Sequence, residues 1–229
     1  MTMGKHLALS VMLTIGIGSQ ISSANAEGIK CAKAQTKIDK AVCADPDLRA
    51  LDTRIATAYS RLIKELDPQS AEALKKDQRW FLGARNSDED LREGSVDKQD
   101  LSDTLQFRAK FLESIIAHPR PGFSGRWENV AGTLNLEESS GKRVTLDGSA
   151  ADPQSQRWVC EAAGDGPLIN GEAQIAIDTD DGAWTLTASR DGATLDVEET
   201  APAKEGGVGS PPYCGFNGTF SGVYFQTAK

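Results

Sequence analysis

Four cysteines are the residues of this chain best suited to covalent chemistry, and they lie far apart in two groups, Cys31 with Cys43 and Cys160 with Cys214. No C-x-x-C motif occurs, and His118 is the only histidine beyond residue 6, which disfavours a zinc site. In an oxidising compartment four cysteines form disulfides, with three possible connectivities. Because the cysteines segregate between two halves of different pattern, we predict the bridges Cys31–Cys43 and Cys160–Cys214, with no metal and no cofactor.

Acid–base or nucleophilic catalysis would have to depend on His118, which directly precedes Pro119. The motifs G-x-S-x-G and H-E-x-x-H and the phosphate-binding P-loop are absent from the sequence. A pair of carboxylates could support glycosidase chemistry, but no spacing among the many acidic residues nominates a pair. We therefore predict that the protein is not an enzyme and has no catalytic residues.

The N-terminus has the pattern of a secretory signal peptide. Lys5 precedes an apolar segment at residues 7–18, and the sequence Ala-Asn-Ala at residues 24–26 matches the small-residue cleavage site. A transmembrane helix needs about 20 apolar residues, and this segment is shorter. We predict a signal peptide at residues 1–26 and a periplasmic or secreted protein that keeps no stable membrane anchor after cleavage.

The chain is acidic, with a net charge of −8 at pH 7, which becomes −9 without residues 1–26 because they contain one lysine and no acid. Nucleic acids and anionic membrane surfaces attract basic patches. The charge therefore argues against nucleic acid as a partner and is compatible with a cationic protein. The alternative is that the charge serves only solubility.

Residues 27–118 have the apolar periodicity of α-helices. Thr36, with Asp39 three residues later, is typical of an N-cap, and Pro46 and Pro68 favour the first turn of a helix. Residues 86–100 are largely polar and are predicted to form a loop. We predict a bundle of three helices, with apolar stripes at Leu48, Leu51, Ile55, Ala58, Leu62 and Leu66, then Leu74, Phe81 and Leu82, then Leu101, Leu105, Leu112, Ile115 and Ile116.

The pattern changes after a linker at residues 119–122, whose two prolines disfavour a continuous helix or strand. In residues 123–229 partly alternating segments are separated by turn dipeptides, which is typical of an antiparallel meander. The Gly- and Pro-rich segment 201–212 is predicted to be a loop. The fold class is therefore α+β, with a disulfide-stapled helical domain followed by a small antiparallel β-barrel or sandwich. The turn dipeptides are Asp147-Gly148, Asp165-Gly166, Asn170-Gly171, Asp181-Gly182, Asp191-Gly192 and Asn217-Gly218.

The first predicted strand opens with the G-x-W tripeptide Gly125-Arg126-Trp127. Lipocalin-type barrels begin in a similar way, with the tryptophan closing one end of the barrel. The alternative is an ordinary core tryptophan, since this residue type is highly buried on average.

The helical half carries a recognisable pattern, made of the first cysteine pair and of apolar, aromatic and charged residues on the helices that follow. Its residues are Cys31, Ala32, Lys33, Ala34, Ile38, Cys43, Leu48, Leu51, Asp52, Tyr59, Gln78, Arg79, Leu82, Arg85 and Arg108. Over residues 29–116 this pattern resembles the family named for the N-terminal domain of the lysozyme inhibitor LprI. Members usually carry a second cysteine pair after the arginine matched by Arg85, where this chain has acidic residues near Asp88 and Asp100. The tryptophan position of the family holds Phe81.

The matched polar and aromatic residues allow two interpretations. The arginines could form a recognition surface for a partner. Alternatively, Asp52 and an arginine could form an ion pair between helices, with the ring of Tyr59 in the core. We favour the structural interpretation because paired arginines and carboxylates often fix helix register. The residues concerned are Asp52, Tyr59, Gln78, Arg79, Arg85 and Arg108.

Three functions from different classes are compatible with these observations. The resemblance implies an exported binding protein that inhibits a cationic lysozyme-type hydrolase or a related cell-wall hydrolase. A module for cell-envelope interaction or small-ligand binding is the second hypothesis, and an apolar cavity inside the β domain would favour it. A hydrolase with a carboxylate pair is the third.

Overall fold

A computed structural model describes residues 28–91, 96–140, 142–180, 182–202 and 210–228. The predicted signal peptide at residues 1–26 lies outside these ranges. Within them, no helix combines the length and the apolar character needed to cross a membrane.

Helices form the first half of the described chain. Thr36 caps the first of them, since its Oγ1 accepts a hydrogen bond from Asp39 N at 2.9 Å. The second begins at Pro46 behind the cap Asp45, whose Oδ1 accepts from Leu48 N at 3.1 Å. The three predicted longer helices are present, preceded by one short helix. The elements are a 3₁₀ turn at Cys31–Lys33, then α1 Lys37–Ala44, α2 Pro46–Glu65, α3 Pro68–Leu91 and α4 Lys98–Ser114.

The prediction of a loop at residues 86–100 is wrong for most of that segment. Helix α3 continues to Leu91, and α4 begins at Lys98; residues 92–95 lie outside the described ranges. Charged residues are tolerated on the solvent face of a helix, whereas Gly and Pro are the residues that disfavour it strongly. The first of these after Gly83 is Gly94, so polarity alone was a poor guide to the helix end.

The helical core follows the predicted stripes closely. One exception is Leu82, which is exposed, while its neighbour Phe81 occupies the core position. Among the buried core residues are Leu48, Ile55, Leu62, Leu74, Leu105 and Leu112.

The second half forms a closed barrel of antiparallel strands in sequence order. Strand β1 pairs with β8, with Arg126 opposite Thr227 and Glu128 opposite Phe225, and this pairing closes the barrel. Of the predicted alternatives, the barrel is confirmed, and the fold class is α+β. The strands are β1 Gly125–Glu128, β2 Gly132–Ser139, β3 Arg143–Ala151, β4 Val159–Ile169, β5 Glu172–Ile177, β6 Trp184–Asp191, β7 Thr194–Thr200 and β8 Gly222–Thr227.

Two of the predicted turn dipeptides lie inside strands. Asp147-Gly148 belongs to β3 and Asp165-Gly166 belongs to β4. A Cβ atom at Gly166 would overlap the backbone of β5, so this glycine permits close packing rather than chain reversal. Asn170-Gly171 does form a turn, with φ angles of 53° and 89°.

Side chains fill the interior of the barrel. Trp127 is fully buried, its Nε1 donates to the carbonyl of Phe123 at 2.8 Å, and the guanidinium of Arg190 lies 4.7 Å from its ring centroid. Trp127 is therefore a core residue at the start of the first strand. The packed interior gives no support to the hypothesis of a ligand-binding barrel. The buried residues include Leu134, Leu136, Val144, Leu146, Ile175, Leu186, Leu195, Val197, Phe220 and Tyr224.

Two disulfides are formed, one in each half. Cys31–Cys43 joins the segment before α1 to the last turn of that helix, with 5.5 Å between the Cα atoms. Cys160–Cys214 joins β4 to the segment before β8. The pairing is the one expected from the distribution of the cysteines.

The two halves are in direct contact. Ile116 N donates to Gln226 O at 2.9 Å, so the chain leaving α4 runs beside β8. Phe225 of β8 is buried in the helical core, where its ring meets that of Phe111 edge-on at 6.4 Å. The domain boundary at residues 119–122 stays a prediction.

Candidate functional site

Arg108 of α4 is deeply enclosed, with a side chain that is 2% exposed. Its Nη1 donates to Asp77 Oδ2 at 2.8 Å, and its Nε and Nη2 donate to Gln78 Oε1 at 2.9 and 2.6 Å. The rings of Phe81 and Phe111 lie against it, each with its centroid 5.0 Å from Cζ. These contacts are all internal, and they hold α4 against α3.

Asp77 was not among the predicted site residues, yet it joins the helices to the barrel. Its side chain is 6% exposed. While Oδ2 accepts from Arg108, Oδ1 accepts from Val130 N in the β1–β2 turn at 3.0 Å. A signal was present in the sequence: Asp77 lies three residues after Leu74 and four before Phe81, which places it on the buried face of its helix.

Arg85 of α3 forms the ion pair between helices that the structural interpretation anticipated, but with a different carboxylate. Its Nη2 lies 3.4 Å from Asp39 Oδ1 of α1, and its Nε donates to Asn86 Oδ1 at 3.1 Å. Burial lowers the pKa of Arg85, and the charges of Asp39 and Asp52 oppose that shift. Asp52 itself accepts a hydrogen bond from Ile29 N at 2.7 Å, which fastens the segment before α1.

The remaining predicted residues lie in different surroundings. Tyr59 is buried in the helical core, and this burial raises the pKa of its hydroxyl. Arg79 is exposed, with its Nη2 3.9 Å from Glu72 Oε1. The structure thus brings Gln78 and Arg108 together but does not gather all six predicted residues on one surface. Their assignment to partner binding stays a prediction.

A cleft of about 420 Å³ lies between the helices and the β1–β2 end of the barrel. One face of α4 lines it, because the lining residues recur every three or four positions. Helices α1 and α3 contribute Lys37 and Arg85, and the barrel contributes residues 128–133 with Pro153. A volume of this size suits a small ligand or a few residues of a partner. From α4 and its N-cap the lining residues are Asp97, Asp100, Leu101, Thr104, Phe107, Arg108 and Phe111.

The α4 side of this cleft combines aromatic surface with negative charge. Phe107 is 72% exposed, and Asp97, Asp100 and Asp103 are exposed at three-residue intervals on the N-cap and first turns of the same helix. Asp97 caps α4 by accepting from the backbone amides of residues 99 and 100. Asp103 accepts from the Gln99 side chain at 3.0 Å.

The carboxylates of the cleft are spread along α4 and the end of β1, where Glu128 Oε1 accepts from Arg126 Nη2 at 2.6 Å. Across the described ranges of the chain, no group of three or more His, Cys, Asp or Glu residues is placed to hold a metal ion.

Comparison with known proteins identifies the family. A family model described as "Lysozyme inhibitor LprI" matches residues 30–144. This segment contains α1 to α4, β1 and β2, and every described cleft residue except Pro153, so the match extends beyond the predicted resemblance into the barrel. No curated protein and no solved structure matches the chain. Because the family model covers half of its length, the protein belongs to the LprI lysozyme inhibitor family.

Proposed function

We propose that the protein is an exported inhibitor of lysozyme or of a related cell-wall hydrolase, and that it acts by binding without turning over peptidoglycan. The observation that carries this proposal is the family match over residues 30–144.

The charge of the chain supports a basic target. A net charge of −8 attracts a cationic enzyme, and the association rate then falls as the salt concentration rises. The two disulfides fit an oxidising compartment, which the predicted signal peptide at residues 1–26 would allow the chain to reach. The proposed location is therefore the periplasm or the extracellular space.

Charge accelerates the encounter, but inhibition also requires that some element of the protein covers the substrate cleft of the enzyme. Two segments predicted to be loops are candidates for such an element, and the first of them, residues 86–100, is mostly helical. The other candidate, the loop at 201–212, includes residues 203–209, which the structure does not describe. The surface of α4 beside the cleft is the described alternative within the segment that matches the family.

The proposal is tested by the rate at which basic lysozymes of several classes clear a suspension of bacterial cell walls, with and without the mature protein. We expect stoichiometric inhibition that weakens with added salt, and no clearing by the protein alone. If no complex forms at low ionic strength with any class, the inhibitor function is wrong and an envelope-binding module takes its place.

A further inference from the structure

We propose, resting on the inhibitor function above, that the hydrolase is contacted through the α4 cleft and that a segment of the enzyme bearing Arg or Lys docks there. Phe107 is the apolar anchor of this contact, and the α4 carboxylates receive the cationic side chains.

Phe107 is exposed although it is large and apolar, and it stands beside an open cleft rather than on an isolated stretch of surface. Exposed aromatic side chains at the edge of a cavity are favoured anchors of protein interfaces. The neighbouring walls add Leu101, Phe111 and Val130, so an aliphatic stem of a partner residue would enter an apolar space.

The charges beside Phe107 select the kind of partner. Asp97, Asp100 and Asp103 project from the exposed side of α4. A guanidinium placed over the Phe107 ring would gain a cation–π contact and would lie near Asp103, about one helical turn away. Asp100 and Asp97 lie about 10 and 15 Å from Phe107 along the helix axis, where they would face other cationic side chains of the same segment. An acidic segment would meet repulsion at the same place, so the cleft fits a basic protein.

The cations that line the cleft are largely occupied by the protein's own acids. Arg108 is bonded to Asp77 and Gln78, and Arg85 faces Asp39. The charges of these two arginines are thus balanced within the protein.

The test measures the inhibition constant of the mature protein and its variants against a lysozyme that the wild-type protein inhibits. We expect Phe107→Ala to weaken inhibition about 10- to 30-fold, the range of an interface anchor. Asp103→Asn should weaken it about threefold and reduce its salt dependence.

Matched controls come from the barrel. Phe216 is 84% exposed and lies outside the family match, so Phe216→Ala removes a phenylalanine at another place that is even more exposed than Phe107. Glu198→Gln removes an exposed carboxylate of β7. Both controls should inhibit like the wild type, and thermal unfolding should show that all variants remain folded.

The outcomes separate this inference from the proposed function. If the wild-type protein inhibits while Phe107→Ala and Asp103→Asn inhibit equally well, the function stands and the docking site is wrong. A larger loss from Phe216→Ala would move the contact to the barrel and would also overturn the inference. A wild-type protein that inhibits no lysozyme overturns both.

Discussion

Replacement of Asp77 by alanine tests whether the buried ion pair couples the helices to the barrel. The change leaves the Arg108 guanidinium buried without its carboxylate and leaves Val130 N without its acceptor. Removal of one partner from a buried pair costs about 3–5 kcal/mol, and loss of the acceptor of the half-buried Val130 amide costs at most about 1–3 kcal/mol. Because relaxation and water relieve part of both costs, we expect a total of about 4 kcal/mol, a large share of the roughly 5–15 kcal/mol of a typical protein.

The measurement is urea unfolding of the mature protein, followed by far-ultraviolet circular dichroism for the helices and by tryptophan fluorescence. Arg54→Ala is the matched control, because Arg54 forms a bidentate pair with Glu113 between α2 and α4 whose side chains are both 42% exposed. An exposed pair contributes less than about 1 kcal/mol. If Asp77→Ala costs no more than Arg54→Ala, the reasoning from burial is refuted.

Three further predictions concern stability. Removal of the Cys31–Cys43 bridge, which closes a separation of 12 residues, should cost about 3 kcal/mol in denaturant unfolding; an unchanged midpoint would contradict this. Asp67→Ala should lower the free energy of unfolding by about 1 kcal/mol at neutral pH, because a helix cap is lost. Asp67 accepts hydrogen bonds from the Ser70 hydroxyl and from the backbone amides of residues 69 and 70, and these bonds lower the pKa of its carboxyl. That stabilisation is complete above the unfolded pKa of about 3.9 and is lost as the pH falls through the lowered native pKa, so the two proteins should converge in acid; a constant difference would be the contrary result. We propose that residues 27–118 produced alone are helical and melt cooperatively, at a lower temperature than the whole protein because Phe225 is missing from their core; a non-cooperative melt with the disulfide intact would contradict the proposed domain boundary.

Much of the fold could be predicted from local sequence patterns. The caps Thr36 and Asp45 marked the starts of α1 and α2 because a side-chain acceptor must lie within three residues of the amides it satisfies. The period-two segments indicated antiparallel strands for the same local reason. The end of α3 was missed since exposed polar residues fit a helix as well as a loop.

The candidate site was harder to predict from the sequence. Arg85 and Arg108 were selected by resemblance, and so was Gln78, but the carboxylates that pair with the two arginines were not, because Asp39 and Asp77 lie on other helices. Nothing in the sequence predicted that Phe107 is exposed, since an apolar residue on a helix is usually buried. Its exposure depends on how α4 packs beside the barrel.

The sequence by itself determined the segregation of the cysteines, the helix starts and the change from helical to strand periodicity. The helix starts and the periodicity depend only on residues a few positions apart, and the segregation depends only on where the cysteines lie along the chain. Tertiary structure alone decided that the strands close into a filled barrel and that a cleft opens beside α4. It also decided that Asp77 binds Val130, 53 positions away. Contacts at such separation depend on how whole elements pack. Once a polar side chain is buried, loss of its hydrogen-bond partner costs free energy, and its neighbours in sequence do not show that this will happen.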